Sequence, residues 1–207
     1  MKKKGETGTV KGRIITYFIF IMQRKLSIGI DIDPHLKKTL AKTIKQWRDL
    51  PVRWHKEGGF HIALFSLGWV GEDDMTDIII ATESVATETE GFDIDFEKIA
   101  FVAKDPFDSD IDDAQIVRLE GFKSPELKKL YHKLKKTLKI PASQKKIFKP
   151  YVELGRMRTQ KWQKLEKYPA QSYPFPVVMD VSAITIFENS NEEGEWHITP
   201  MEVFDLQ

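Results

Sequence analysis

The chain has 207 residues, of which 41% are hydrophobic and 11% aromatic, enough for one compact domain with a substantial core. Charged residues make up 30% but balance to a net charge of +1, a composition that argues against intrinsic disorder. The sequence contains no cysteine, which excludes disulfides, thiolate metal sites and a cysteine nucleophile and favours a cytoplasmic location.

Residues 1–24 are predicted to be an extra N-terminal segment, a tail or an added strand, that precedes a single two-lobed domain over residues 25–207. A basic start leads into the apolar run 14–22. This run is much shorter than the ~20 residues that a membrane-spanning helix needs. Gln23, Arg24 and Lys25 follow it, where a signal peptide would have small residues. A natural start at Met22 is the other interpretation, and no membrane contact is expected.

In chain order, the hydrophobic periodicity predicts the succession β-α-β-β-α-β-β-α-β-β-β. Predicted strands cover residues 25–32, 52–54, 60–67, 92–102, 114–119, 151–156, 176–187 and 196–204. Predicted helices run from Asp33-Pro34 to about Asp49, over 73–87 and over 124–139, and a short one contains Trp162. Strands that follow one another without helices between them are typical of antiparallel sheets, so the predicted fold class is α+β with two lobes.

Charge is distributed unevenly in the middle of the chain. Residues 88–120 hold eleven acidic and three basic residues, a balance of −8, and include an acidic loop at 104–113. Residues 123–149 hold ten lysines and one glutamate, a balance of +9. A basic surface beside a cleft attracts phosphates. A lysine-rich helix face is also typical of an ordinary solvated surface, and both interpretations stay open.

Two short predicted strands have similar sequences. One is Phe60-His61-Ile62-Ala63-Leu64 and the other is Pro150-Tyr151-Val152-Glu153-Leu154. Because side chains alternate along a strand, His61 and Ala63 share one face, and Tyr151 and Glu153 share one face of the second strand. The apolar residues between them would face the core of each lobe. The sequence therefore predicts that these two polar faces meet across a cleft.

These two segments resemble the motifs of the 2H phosphoesterases, the LigT-like RNA 2′,3′-cyclic phosphodiesterases, which carry one His-x-Thr/Ser motif in each lobe. Residues 59–68, GFHIALFSLG, match the frame of the first motif, and residues 150–156, PYVELGR, match that of the second. The resemblance extends over about residues 25–206. It implies an α+β fold with antiparallel sheets, helices around a central cleft, and a pseudo-two-fold relation between the lobes.

The resemblance also implies roles for individual residues. In the family one histidine acts as general base, the other protonates the leaving oxygen, and the hydroxyls hold the phosphate. His61 matches the first histidine, while Tyr151 replaces the second, and Ala63 and Glu153 replace the hydroxyl residues. A carboxylate at a phosphate position would repel the ligand by about 4 kcal/mol at ~4 Å.

The candidate catalytic residues are accordingly His61, Tyr151 and Glu153, and the candidate substrate-binding positions are Ala63, Arg156 and Lys149. No metal and no cofactor is expected, since histidine acid–base chemistry on a phosphodiester needs neither. Two functions stay open. One is a phosphoesterase with a divergent site that acts on or binds an RNA 2′,3′-cyclic phosphate or a 2′-5′ linked nucleotide. The other is an inactive binding protein that keeps only the scaffold. A monomer is expected in either case.

Overall fold

The computed structural model of the protein describes residues 3–10, 13–20, 23–102, 115–140, 149–192 and 195–207. Its strands are β1 Lys3–Val10, β2 Arg13–Phe20, β3 Gln23–Asp31, β4 Val52–Trp54, β5 His61–Gly71, β6 Phe92–Val102, β7 Ile116–Gly121, β8 Tyr151–Met157, β9 Ser172–Val181, β10 Ala183–Glu192 and β11 Glu195–Asp205. Its helices are α1 Pro34–Ile44, α2 Glu72–Ala86, α3 Pro125–Thr137 and α4 Thr159–Trp162.

Two antiparallel sheets form the body of the molecule. One has the strand order β11-β10-β3-β5 and the other β4-β8-β7-β6-β9, while β1 and β2 pair in a separate two-stranded sheet. The four-stranded sheet holds the first motif, on β5, and the five-stranded sheet holds the second, on β8. The predicted α+β class, with one motif in each lobe, is confirmed. The acidic loop predicted at 104–113 and most of the basic loop at 141–150 lie outside the described residues.

The predicted strand 176–187 is wrong, because this segment forms two strands that belong to different sheets. β9 pairs with β6 in the five-stranded sheet, and β10 pairs with β3 and β11 in the four-stranded sheet. Only Ser182 lies between β9 and β10. Both strands consist of residues compatible with an extended chain, so composition and alternation contain no signal for the change of sheet.

The first motif strand also differs from its prediction, since β5 continues beyond Gly68 to Gly71. Gly68 has φ +73, which few residues other than glycine adopt readily, and the pairing of β5 with β3 shifts between Gly68 and Ser66. Glycine therefore marks a bulge within this strand rather than its end.

A second glycine lets β3 and β5 approach closely beside the first motif. Gly29 pairs with Ala63 in the β3–β5 register. A Cβ atom at Gly29 would clash with the backbone oxygen of Ile62 and lie 3.2 Å from Cδ2 of His61. The backbone of β3 can lie this close to Ile62 and His61 because Gly29 has no side chain.

The helices cover the sheets with their apolar faces. α1 begins after Asp33, whose carboxylate accepts hydrogen bonds from the backbone N–H groups of His35 and Leu36. α3 begins after Ser124, which caps the backbone N–H of Leu127. The buried residues of α3 are Leu127, Leu130, Tyr131 and Leu134, and its lysines occupy the remaining surface. No helix in the described part of the chain is long and apolar enough to cross a membrane.

Candidate active site

A cleft of about 580 Å³ collects residues from both sheets. From the four-stranded sheet it is lined by residues of β3, β5, β10 and β11, and from the five-stranded sheet by residues of β8. The segment between β4 and β5 also lines it. Its lining includes Lys25, Ser27, His55, Lys56, His61, Ala63, Phe65, Tyr151, Glu153, Arg156, Asn189, His197 and Thr199. Its size lies in the range typical of small-molecule sites.

The structure brings five of the six candidate site residues to this cleft. His61, Ala63, Tyr151, Glu153 and Arg156 all line it. Between the motif residues, Ile62, Val152 and Leu154 are buried in the core, in agreement with the alternation of the two strands. Lys149 is exposed and is not among the described residues that line the cleft.

His61 is held in one tautomer and in one place. Its Nδ1 lies 2.8 Å from the backbone oxygen of Gly59, an atom that can only accept, so Nδ1 carries the proton. The imidazole packs against the ring of Phe187, with the ring centroids 4.7 Å apart. Burial lowers the pKa of His61 below its ordinary value of 6.5, although the Gly59 hydrogen bond and the charge of Asp31 oppose this shift. His61 is therefore neutral at pH 7, with its lone pair on Nε2.

Glu153 lies between the side chains of a histidine, His55, and an arginine, Arg156. Its Oε1 is 2.7 Å from Nε2 of His55 and 2.7 Å from Nε of Arg156. Burial alone would raise the pKa of Glu153, but the hydrogen bonds from His55 and Arg156 lower it to about 2. The carboxylate is therefore always ionised near neutral pH, and its charge is compensated within the protein. The repulsion of a phosphate that the sequence predicts is correspondingly reduced.

Tyr151, which stands where the family has its second histidine, is half-buried at the cleft. The guanidinium of Arg118, on the neighbouring strand β7, lies 5.1 Å from the centre of its ring, a cation–π distance. Arg118 in turn donates a 2.8 Å hydrogen bond to Glu120. The tyrosine ring is thus held by packing from its own sheet.

Sequence reasoning missed several residues of this cleft. His55 follows β4, and its backbone N–H donates to the backbone oxygen of Leu154, 2.9 Å away, which places it beside Glu153. His197 and Thr199 come from β11, and Asn189, from β10, donates a 2.9 Å hydrogen bond to Ser27. None of these positions belongs to the recognisable motifs, and only the pairing of distant strands brings them to the cleft.

A larger groove of about 860 Å³ lies elsewhere, along residues 174–183 of β9 and the start of β10 and beside the start of α1. None of the motif residues lines it, so the smaller cleft is the better candidate for chemistry. Within the described ranges, no three histidine, aspartate or glutamate side chains come together as a metal site would require.

Two antiparallel sheets with one motif each, and a cleft that collects both motifs, define the LigT-like fold of the 2H phosphoesterases. Known structures support this fold. LigT of E. coli in its apo form superimposes with a TM-score of 0.68 at 18% identity, over 89% of this chain and 98% of LigT. LigT complexed with 3′-AMP gives 0.69 at 16% identity, over 89% and 99%.

A third similar structure is TT0787 of Thermus thermophilus, with a TM-score of 0.67 at 15% identity over 89% of this chain and 98% of that one. No protein-family model matches the sequence, and no curated protein matches it significantly. The likeness at these identities concerns the fold, and the predicted LigT-like fold is confirmed.

Proposed function

We propose that the cleft binds the phosphate of a nucleotide or RNA terminus and slowly hydrolyses a 2′,3′-cyclic phosphodiester or a 2′-5′ linkage. The observation that carries this proposal is the protonation state of His61 and its position in the cleft. It is a neutral imidazole whose Nδ1 is occupied by Gly59 and whose Nε2 can accept a proton. It lines the same cleft as Tyr151 and Arg156 in a LigT-like fold.

The reaction needs a base and an acid. The base removes a proton from the attacking water, whose oxygen forms a bond to phosphorus. The bond from phosphorus to the leaving oxygen breaks, and that oxygen takes a proton from the acid. His61 is suited to the first task, because a neutral imidazole with a lone pair at Nε2 is a base near neutral pH.

Among the described residues that line the cleft, three carry a positive charge, Lys25, Lys56 and Arg156, and one carries a negative charge, Glu153, whose carboxylate is already bound by Arg156. LigT of E. coli, which has this fold, has been solved in complex with 3′-AMP, NADP+, ATP and phosphate. We extend this binding property to the present chain, with the 3′-phosphate of a nucleotide as the simplest probe.

Binding without chemistry is the second candidate function. Ala63 offers no hydroxyl where the family holds a phosphate oxygen, and Glu153 is already engaged by two side chains. An RNA terminus as the ligand, a monomeric state and a cytoplasmic location remain predictions from the sequence.

The two candidates are separated by measuring binding of 3′-AMP by calorimetry and hydrolysis of 2′,3′-cyclic AMP in the same preparations. The variants are His61→Ala and, as a matched control, His35→Ala, which removes an exposed histidine of α1 outside the cleft. We expect His61→Ala to lose at least 10²-fold in rate, and His35→Ala to behave as wild type. Binding without turnover would favour the second candidate, and the absence of both would overturn the proposal.

A further inference from the structure

Besides His61, the cleft contains two histidines that the motif positions do not supply, His55 and His197. His55 lies on the cleft lining, in the segment between β4 and β5, and its ring is partly buried. It is close enough to His61 that a charge on His55 lowers the pKa of His61. Position 151, where a second histidine would be expected, is a tyrosine, so the imidazoles that accompany His61 in this cleft come from outside the motifs.

The position of His55 is set by the backbone. Trp54 pairs with Gly155 at the end of β4, and the backbone N–H of His55 continues the pairing to Leu154, as noted above. Gly155 permits this approach, because a Cβ atom there would lie 2.9 Å from the backbone oxygen of Arg53. His55, which follows β4, and Glu153, on β8, are therefore neighbours in two adjacent segments of one sheet.

The orientation of the His55 ring is set by Glu153. An ionised carboxylate only accepts hydrogen bonds, so the contact of 2.7 Å requires a proton on Nε2 of His55. This is the only hydrogen bond of the imidazole among the described residues. Nδ1 is then the atom at which His55 can gain or give up a proton. A carboxylate that fixes a histidine in this way is a recurring arrangement in acid–base sites.

We propose that His55, oriented by Glu153, supplies the second proton-transfer group of the cleft in place of the histidine that position 151 lacks. This inference rests on the proposed hydrolysis. His61 takes a proton from water at Nε2 while the water oxygen bonds to phosphorus. The phosphorus–oxygen bond to the leaving ribose oxygen breaks, and that oxygen receives the Nδ1 proton of the His55 imidazolium. Return of one proton from His61 to His55 through solvent completes the cycle.

Two alternatives within the cleft, Glu153 and Tyr151, are weaker. Glu153 is a poor base, because two hydrogen-bond donors hold its pKa at about 2. Tyr151 can donate a proton, but a phenol is in general a much weaker acid than an imidazolium. Glu153 is accordingly a positioning residue in this scheme.

The test compares His55→Gln, His55→Ala, Glu153→Gln and Glu153→Ala with wild type and with the His35→Ala control. Glutamine at position 55 can still donate to Glu153 but cannot carry a proton, so it keeps the local structure that alanine would lose. Glutamine at 153 keeps an oxygen that accepts from His55, whereas alanine does not. The measurements are kcat for 2′,3′-cyclic AMP from pH 5 to 9, affinity for 3′-AMP, and thermal unfolding as a check of folding.

We expect both His55 variants to lose at least 10²-fold in kcat, to bind 3′-AMP within about threefold of wild type, and to lose the alkaline limb of the pH profile. Added imidazole should restore part of the rate to His55→Ala. Glu153→Gln should retain more activity than Glu153→Ala.

A folded His55→Gln variant with kcat within about threefold of wild type would overturn this inference and leave the proposed hydrolysis standing, provided that His61→Ala is inactive. A wild type that binds 3′-AMP without hydrolysing the cyclic nucleotide would overturn it as well and reduce the function to binding. If wild type neither binds nor hydrolyses, the proposed function itself fails.

Discussion

His55 Nε2 and Glu153 Oε1 lie 2.7 Å apart at the place where the chain leaving β4 meets β8. The two residues are separated by 98 positions in the sequence. Arg156 binds the same carboxylate from within β8. A glutamate that looks unsuited to a phosphate site is therefore the centre of a charge-compensated cluster, and the properties of this cluster can be measured.

The first prediction concerns the stability contributed by Glu153. Its pKa in the folded protein is about 2 and its ordinary value is 4.5, so the unfolded chain takes up the proton first as the pH falls. The contribution, on the order of 3 kcal/mol, is complete above pH 4.5 and is lost between pH 4.5 and 2. We expect Glu153→Gln to be less stable than wild type at pH 7 and nearly equal to it near pH 2. Urea unfolding at several pH values measures this difference, and a difference that does not change with pH would contradict it.

His61 provides a prediction in the same direction, at a higher pH. Burial lowers its pKa below 6.5, so the unfolded chain binds the proton more readily than the folded protein. The stability associated with neutral His61 is complete above pH 6.5 and decreases as the pH falls below that value. The NMR titration of the His61 ring, assigned by its loss in His61→Gln, should have its midpoint below 6.5. A midpoint at or above 6.5 would show that the ring is solvated rather than buried.

Gly29 should not tolerate a side chain. A Cβ atom there would clash with the backbone oxygen of Ile62, next to His61. We expect Gly29→Ala to cost about 1–3 kcal/mol of unfolding free energy, the usual cost of overpacking, and to reduce activity by displacing His61. Gly58→Ala is the matched control, because no atom lies within 4 Å of a Cβ atom at that position. Equal stability of the two variants in thermal unfolding would show that β3 can move away from β5.

The exposed lysines of α3 should contribute to any affinity for single-stranded RNA. Lys128, Lys129 and Lys136 face solvent, opposite the buried face of the helix. The affinity falls with salt because counterions are released on binding. Changing all three lysines to glutamate should make the slope of log affinity against log salt less steep by about 2. The control is the same change at exposed lysines 38, 42 and 45 on and after α1. If both triple variants bind RNA equally, α3 is an ordinary solvated helix.

Restoring the family motifs should make His55 dispensable. The variant that combines Ala63→Thr, Tyr151→His and Glu153→Thr regains both hydroxyls and the second motif histidine, and groups that act as a unit should gain more together than singly. In this background His55→Ala should change kcat for 2′,3′-cyclic AMP by less than about threefold, compared with at least 10²-fold in the wild-type background. A folded but inactive triple variant would show that the cleft no longer positions a cyclic phosphate.

The sequence contained enough information to predict which residues of β5 and β8 lie on the polar face of each strand. Alternation is a local property, so His61, Ala63, Tyr151 and Glu153 could be assigned to polar faces from their neighbours alone. The motif frames then placed the two strands in one fold. The contact of His55 with Glu153 could not be predicted in this way. It depends on the register between a three-residue strand and a partner about a hundred positions later, which no local pattern specifies.

The same limit applies to β9 and β10. Each is an extended segment of ordinary strand composition, and a strand that changes sheets differs from a continuous strand only in its partners. By contrast, α3 was predicted closely, because its capping serine and apolar stripe both lie within one helix length.

The single residue between β9 and β10 has a mechanical consequence. One residue spans at most about 3.6 Å, so at Ser182 the two sheets are tied together almost without slack, whereas residues 55–60 leave a longer connection between β4 and β5. The sheets cannot slide apart at Ser182, so a relative movement of the two sheets would turn about the backbone dihedrals of that residue. Such a turn would change the separation of β5 from β8, so the width of the opening that admits a ligand is linked to a residue that belongs to neither motif.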